Sequence, residues 1–334
     1  MSEINEDFER RIQLLPGPVA VFGAGGFIGV NLLKFLLARR SDVIGVSQDH
    51  INNWRFIANE IPHKYLNSTD ILQQNQIREF FRNHRPKTIF NLAAYGAYSK
   101  QNEYDKIYHT NFLAAVNLIE VAKEYGFEAF VQAGSSSEYG FNSKQPGEDD
   151  KLLPNSHYAV SKTAVYQAIN YYGKVEKLNV SHLRLYSVTG PWEEPDRLIP
   201  VLVAHARRKQ FPPLVNPDIS RDFVFVDDVC RAFVLAASKA QSIKGEAFNI
   251  GTGVKTTIRQ LAQKAKELFD IPGEPLFGSM PDRHWDTIDW YCKPDKANNV
   301  LGWKAQTGLE ESLKIIARVQ EETDFDNAYW NWTK

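Results

Sequence analysis

Residues 18–47 read PVAVFGAGGFIGVNLLKFLLARRSDVIGVS, and this stretch decides the fold. Residues 19–22 are a short apolar run between Pro18 and Gly23, the pattern of a fully buried strand. Residues 27–39 read as an apolar-rich helix and 42–46 as a second buried strand. This is a βαβ unit with an expected right-handed crossover. Gly23, Gly26 and Gly29 form GxxGxxG between strand and helix. A tight turn there needs a residue without Cβ, and a pyrophosphate needs close backbone approach. The helix N-terminus adds free N–H groups and the positive end of its dipole. The loop therefore predicts a dinucleotide site.

Working outward, the alternation repeats. Helices are expected over 73–83, 110–125 and 158–178, and strands over 88–92, 129–133 and 180–185. The expectation is an α/β fold: a Rossmann-type, doubly wound parallel sheet covered on both faces, with a smaller mixed α/β C-terminal lobe. The dinucleotide-binding domain is expected over 17–187, with return segments near 221–253. Residues 188–220 and 254–334 are assigned to a substrate lobe. Residues 1–16 read as a polar, partly helical lead-in.

Composition excludes other classes. The chain has 334 residues, 43% hydrophobic and 24% charged, enough to bury a real core. Lys+Arg is 39 against 40 Asp+Glu, so the net charge of −1 favours neither nucleic acid nor an anionic membrane. Two cysteines, Cys230 and Cys292, make no disulfide framework. The eight histidines show no metal-ligand spacing, so no metal is expected. No segment reaches the ~18–20 apolar residues of a membrane helix. The acidic N-terminus is no signal peptide, so the cytoplasm is the expected location.

Two further motifs carry chemistry. Tyr158 and Lys162, in YAVSK, stand one helical turn apart on one face. A free tyrosine has a pKa near ~10; moving it three units toward neutrality takes roughly 4 kcal/mol. A neighbouring ammonium and a nicotinamide cation are expected to supply this. The tuned phenol can then take a proton from a sugar hydroxyl as hydride leaves the same carbon. Ser135, in AGSSSEYG (133–140), follows a buried strand whose carboxyl end should face the cofactor crevice. An acid usually ends the second strand to hold the ribose; Ser47 stands there instead. Asp49 and Arg55 are the nearby candidates for reading the ribose or a 2′-phosphate. The cofactor is NAD or NADP, with NAD preferred.

These motifs stand in the order of a known family. The glycine loop, Asp70, NLAA (91–94), Asn111, SSSEYG, YAVSK, RLYSVTGP (184–191), RDFVFVDDV (221–229), FNIGTG (248–253) and LGW (301–303) run in sequence. The chain resembles the extended short-chain dehydrogenase/reductase family, in its nucleotide-sugar epimerase/dehydratase branch. The resemblance implies a Ser135, Tyr158, Lys162 triad. It implies cofactor contacts from Gly23, Gly26, Phe27, Ile28, Gly29, Ser47, Asp70, Ile71, Leu92, Ala93, Ala94, Asn111 and Tyr186, beside Tyr158 and Lys162. Ser135, Ser136, Ser187, Arg197, Arg221 and Arg283 would hold the nucleotide sugar, guanidinium groups suiting its phosphates. It also implies a homodimer built on the helices at 110–125 and 158–178.

Two departures bear on the reaction. Ser187 replaces an asparagine that often touches the substrate phosphate. Dehydratases of the family place an acid two residues after the catalytic Ser/Thr, whereas Glu138 comes one residue later. The leading expectation is therefore hydride transfer at sugar C4, as a nucleotide-sugar epimerase or 4-keto reductase. A 4,6-dehydratase using Glu138 is the alternative, and a non-catalytic NAD(P)-binding sensor or interaction protein the reading from another class. Trp285, Trp290 and Trp303 are expected to pack the small lobe, Trp285 being a candidate to touch a base or sugar. Asp227 and Asp228 are expected to cap the helix that follows.

Overall fold

The computed structural model describes residues 3–98, 100–278 and 287–323. Helix α1 (Glu3–Leu14) leads into β1 (Val19–Phe22), α2 (Phe27–Leu37), β2 (Val43–Ser47), the short α3 (Trp54–Ala58) and β3 (Leu66–Ser68). Then come α4 (Gln74–His84), β4 (Thr88–Asn91), α5 (Tyr104–Tyr108), α6 (Ala114–Tyr125), β5 (Ala129–Ala133), α7 (His157–Lys174) and β6 (Val180–Leu185). The remainder holds β7 (Ser187–Thr189), α8 (Leu198–Arg207), β8 (Ser220–Arg221), β9 (Phe223–Phe225), α9 (Val226–Ser238), β10 (Ala247–Ile250), β11 (Thr256–Thr257), α10 (Ile258–Phe269) and α11 (Leu309–Glu322).

Seven strands form one parallel sheet in the order β3-β2-β1-β4-β5-β6-β10. The order reverses between β1 and β4, which opens a crevice beyond their carboxyl ends. β1, β4, β5 and β6 are buried along their whole length, as a sheet covered on both faces requires. One apolar cluster lies under α1, α2 and α9, with Phe8, Leu32, Phe90 and Phe233 among its members. Another packs Phe22, Phe80, Phe81, Leu118 and Phe130 beneath α4 and α6.

Residues 226–238 return to this body as α9, and β10 adds the seventh strand beside β6. A separate cluster joins α8, α10 and α11 through Leu202, Leu261, Leu313 and Ile316. The lead-in helix α1 is anchored by buried Phe8 and Ile12.

Two expectations change. Trp303 packs in the cluster under α9, its Nε1 donating to Asp228 O at 2.7 Å, so it holds the main body and not the small lobe. Asp228 does not cap its own helix. Its carboxylate accepts from the N–H groups of Gln306 (3.0 Å) and Thr307 (2.9 Å), tying a distant segment to α9. Phe225 is the residue at the α9 N-cap. Among the described residues, no helix is long and apolar enough to cross a membrane.

Candidate active site

The glycine loop crosses the crevice above β1. Gly23 sits at φ +76°, and a Cβ there would lie 2.5 Å from Ala93 N. Gly29 is equally constrained, since its Cβ would meet Gly23 O at 2.1 Å. Gly26 differs: the nearest atom to its Cβ would be Gly23 O at 3.3 Å. α2 also opens at Gly26 with no side-chain cap. Phe27, Ile28 and Gly29 form the first turn of α2. A free helix N-terminus with space in front suits a pyrophosphate.

The second strand ends in hydroxyl and amide groups. Ser47 Oγ donates to Asp49 O at 3.1 Å, and Asn53 Nδ2 donates to Gly25 O at 3.1 Å. Arg55, a candidate reader of a 2′-phosphate, is already committed. It is buried, and it donates to Trp192 O at 2.8 Å and to Glu194 Oε1 at 3.0 Å. Asp49 is exposed and closes its own loop, accepting from the N–H groups of Ile51 (3.0 Å) and Asn52 (3.1 Å). The Asn52 bond holds its carboxyl below the usual range.

Asp70 follows β3, its Oδ1 accepting from Leu72 N at 2.9 Å. Ile71 and Leu92 are half-buried against the two flanking clusters. Ala93 N donates to Asn91 Oδ1 at 3.3 Å, and Ala94 is exposed. Asn111 lies in a π-helical turn, His109–Leu113. Its amide is taken by Tyr95 N (2.8 Å), Tyr95 O (2.8 Å) and Ser161 Oγ (2.9 Å). It therefore braces the loop after β4 against α7. Tyr186 follows β6 in a small buried cluster with Tyr139 and Cys292.

Ser135, Tyr158 and Lys162 come together. Ser135 caps the 3₁₀ turn Ser136–Tyr139, its side chain beside the Tyr158 phenol and its Oγ 2.6 Å from Ser137 Oγ. Tyr158 is the second residue of α7, which Ser156 caps by accepting from Ala159 N at 3.1 Å. Lys162 is buried one turn on, donating to Ala133 O at 3.0 Å. Burial pulls its ammonium down to about 8, against an opposing pull from Glu138. Burial pushes the Tyr158 phenol up to about 12, partly countered by the Ser135 hydrogen bond. The expected lowering by Lys162 is thus not met by the protein alone. The ammonium faces Ala133 O and stands 5.7 Å from the phenol ring centre.

The substrate-side candidates are spread over three segments. Ser136 Oγ accepts from Trp290 Nε1 at 2.8 Å, which brings Trp290 to the site itself. The Arg221 guanidinium lies 5.4 Å from the Trp290 ring centre and donates to Ser220 O at 2.8 Å. Ser187 opens β7, pairing with Phe223 of β9. Arg197 precedes α8, 3.7 Å from Glu193 Oε1 and 5.5 Å from the Tyr98 ring centre. Burial pushes Glu193 up to about 7, with Arg197 opposing. Arg283 and Trp285 lie outside the described residues. Among the described residues, no His, Cys, Asp or Glu cluster could hold a metal ion.

The profile of the NAD dependent epimerase/dehydratase family matches residues 19–251, from β1 through β10. The chain belongs to this family of enzymes. It is 32% identical to a UDP-glucose 4-epimerase of Mycolicibacterium smegmatis over 88% of this chain and 95% of that one. A solved UDP-glucose 4-epimerase from Thermotoga maritima, with UDP-glucose, superposes with a TM-score of 0.81 at 27% identity, covering 91% and 99%. MoeE5, solved with UDP-glucuronic acid and NAD, gives 0.78 at 29% identity, covering 92% and 100%.

Glu138 is not placed as the acid of a dehydratase would have to be. It is fully buried, with Oε1 accepting from Ser135 N (2.8 Å) and Oε2 from Arg184 Nε (2.8 Å). Both oxygens point into the protein, which removes it as the acid of a dehydratase. Sequence reasoning missed its partner His182, and gave Arg184 no role. Their signal was present: two polar residues, two apart, in the otherwise buried strand VSHLRL. It also missed Asp222, whose carboxylate accepts from Thr252 N (2.7 Å) and Gly253 N (2.8 Å) and so fixes the loop after β10.

Proposed function

We propose that this enzyme is an NAD-dependent nucleotide-sugar 4-epimerase acting on a UDP-linked hexose. The observation that carries the reading is the grouping of Ser135, Tyr158 and Lys162, with the Lys162 ammonium bonded to Ala133 O and 5.7 Å from the Tyr158 ring centre. The likeness to UDP-glucose 4-epimerases over most of both chains supports the substrate class.

NAD, when bound, supplies reversible hydride exchange at C4. The N–H groups of the first α2 turn would take its pyrophosphate, and Ser47 and Asp70 would hold the adenosine half. Arg197 and Arg221 would take the diphosphate of the sugar nucleotide, with Arg283, outside the described residues, as the third candidate. Tyr158 would accept the O4 proton as the phenolate, which the bound nicotinamide cation and Lys162 would favour, while C4 is oxidised and Ser135 holds O4 in line with it. Tyr158 returns the proton once hydride has come back to the opposite face. The phenolate needs a cation near it before it takes the proton, and Lys162, one turn behind, is the buried ammonium that would supply it.

The test uses UDP-glucose deuterated at C4, with UDP-glucuronate in parallel. The expected result is the 4-epimer of one of them with deuterium kept at C4. A 4-keto-6-deoxy product, or no turnover of either sugar nucleotide, would overturn the reading.

A further inference from the structure

A buried ionic network lies directly behind the reacting groups. Glu138 Oε1 accepts from Ser135 N–H at 2.8 Å and from His182 Nε2 at 2.8 Å. Glu138 Oε2 accepts from Arg184 Nε at 2.8 Å. Arg184 also donates to the Tyr139 hydroxyl at 2.8 Å and to Glu148 O at 3.0 Å, and Tyr139 donates on to Asn249 Oδ1 at 2.8 Å. Across the network, the Tyr166 ring of α7 lies 4.4 Å from the Arg184 guanidinium and 5.4 Å from the His182 ring. Lys162 is one turn before Tyr166 on the same helix, and its Nζ reaches Ala133 O, next to Gly134. Gly134 has no room for a side chain: its Cβ would lie 2.1 Å from His182 Nε2 and 2.7 Å from Glu138 Oε1.

Such a network is not explained by stability. A buried ion pair often adds less than apolar residues of the same volume would. What it does do is fix one turn. Ser135 has its N–H held by Glu138, and its hydroxyl is the group that meets Tyr158. The charges facing the carboxylate are Arg184 and His182 from β6 and Lys162 from α7, with the Tyr139, Tyr158 and Tyr166 phenols and Glu148 nearby. His182 donates through Nε2, and its buried Nδ1 has no partner, which is the arrangement of a neutral ring. Arg184 and Glu138 then balance, leaving Lys162 as the net cation.

We propose that Glu138 is a positioning residue for this reaction: it fastens the Ser135 backbone so that the hydroxyl meets Tyr158, and its charge offsets Arg184 at the back of Lys162. The proposal rests on the epimerase reading of Ser135, Tyr158 and Lys162. Glu138 also acts to keep Lys162 protonated and raises the Tyr158 phenol. Without its charge, Lys162 loses the anion that opposes its burial and sheds its proton at lower pH.

Two variants separate the roles. Glu138→Gln keeps an acceptor for Ser135 N–H but removes the charge. Glu138→Val with Arg184→Leu removes both charges together, leaving neither ion unpaired. Lys162 is followed by NMR of 13C-labelled lysine, assigned with Lys162→Met, and epimerisation is followed across pH. In Glu138→Gln, the Lys162 titration should move down by about one pH unit. Its kcat should fall about twofold at about pH 7 and about tenfold at about pH 9, following the protonated fraction of Lys162, with KM for the sugar nucleotide within about twofold. In the double variant the titration should move down likewise, while kcat falls about tenfold at both pH values, because Ser135 is no longer held. If Glu138→Gln does not fold, the double variant alone decides, on kcat. An unmoved Lys162 titration in folded Glu138→Gln, or a wild-type kcat in either variant, overturns the proposal. The titration needs no substrate, so it reads on Glu138 even if the epimerase reading fails.

Discussion

Gly26 and Gly29 stand in one turn but answer to different demands. A Cβ at Gly29 would strike Gly23 O at 2.1 Å, so Gly29 serves the packing of α2 on β1. A Cβ at Gly26 needs only a few tenths of an ångström from Gly23 O, so Gly26 serves a ligand. Gly26→Val should fold with a wild-type melting temperature and lose NAD binding by calorimetry. Gly29→Ala should lower stability by about 1–3 kcal/mol in urea unfolding, the usual cost of overpacking. Lys162 gives a second test at this scale. Its ammonium is held near 8, so turnover should fall as pH rises through that value. An unfolded lysine keeps its proton to about pH 10.4. Between the two values the unfolded chain binds more protons, so this group makes stability rise with pH there. Urea midpoints at pH 7 and 9.5 should show that rise in the wild type and lose it in Lys162→Met.

At the scale of elements, the catalytic helix depends on its first turn. Tyr158 is the second residue of α7, and Ser156 is the cap that starts the helix beside it. Ser156→Ala should cost about 1 kcal/mol in urea unfolding and slow turnover without loss of NAD binding. Much of this layer was legible in the sequence. The strands at 19–22, 129–133 and 180–185 have the expected bounds, because short β-branched and apolar-rich runs set between helices and turns admit little else. β3 was not legible: LNS is three residues long, half-exposed and carries no hydrophobic period. The helix expected over 110–125 hides a π-helical turn at His109–Leu113, which no spacing of side chains announces. α7 stops at Lys174 and not at 178, since Lys177 takes a positive φ of 61°. Tyr158 and Lys162 were readable because their relation is local. Glu138 was misread because its partners, His182 and Arg184, lie 44 and 46 residues away on the neighbouring strand. Arg55 was misread for the same reason, its partners Trp192 and Glu194 being more than a hundred residues on.

At the scale of the whole molecule, the segment after β7 folds back onto the cofactor half through Arg55. The Arg55–Glu194 pair and the Arg55–Trp192 bond join the start of the small lobe to the loop that carries Gly25. The face of α6 and α7 is left with exposed Leu113, Val160 and Tyr171. We propose that a second copy covers it, as a dimer through these helices. Light scattering at micromolar concentration should give twice the chain mass, and Val160→Lys with Tyr171→Lys should return a monomer; a wild-type monomer would remove the proposal. The chemistry turns on one oxygen in this assembly, the Tyr158 hydroxyl. Tyr158→Phe keeps the ring and deletes only that atom, leaving the glycine loop and the arginines in place. Epimerisation of UDP-glucose by this variant should fall by about 10²–10⁴ with binding of UDP-glucose and NAD retained. Turnover equal to wild type would contradict the account.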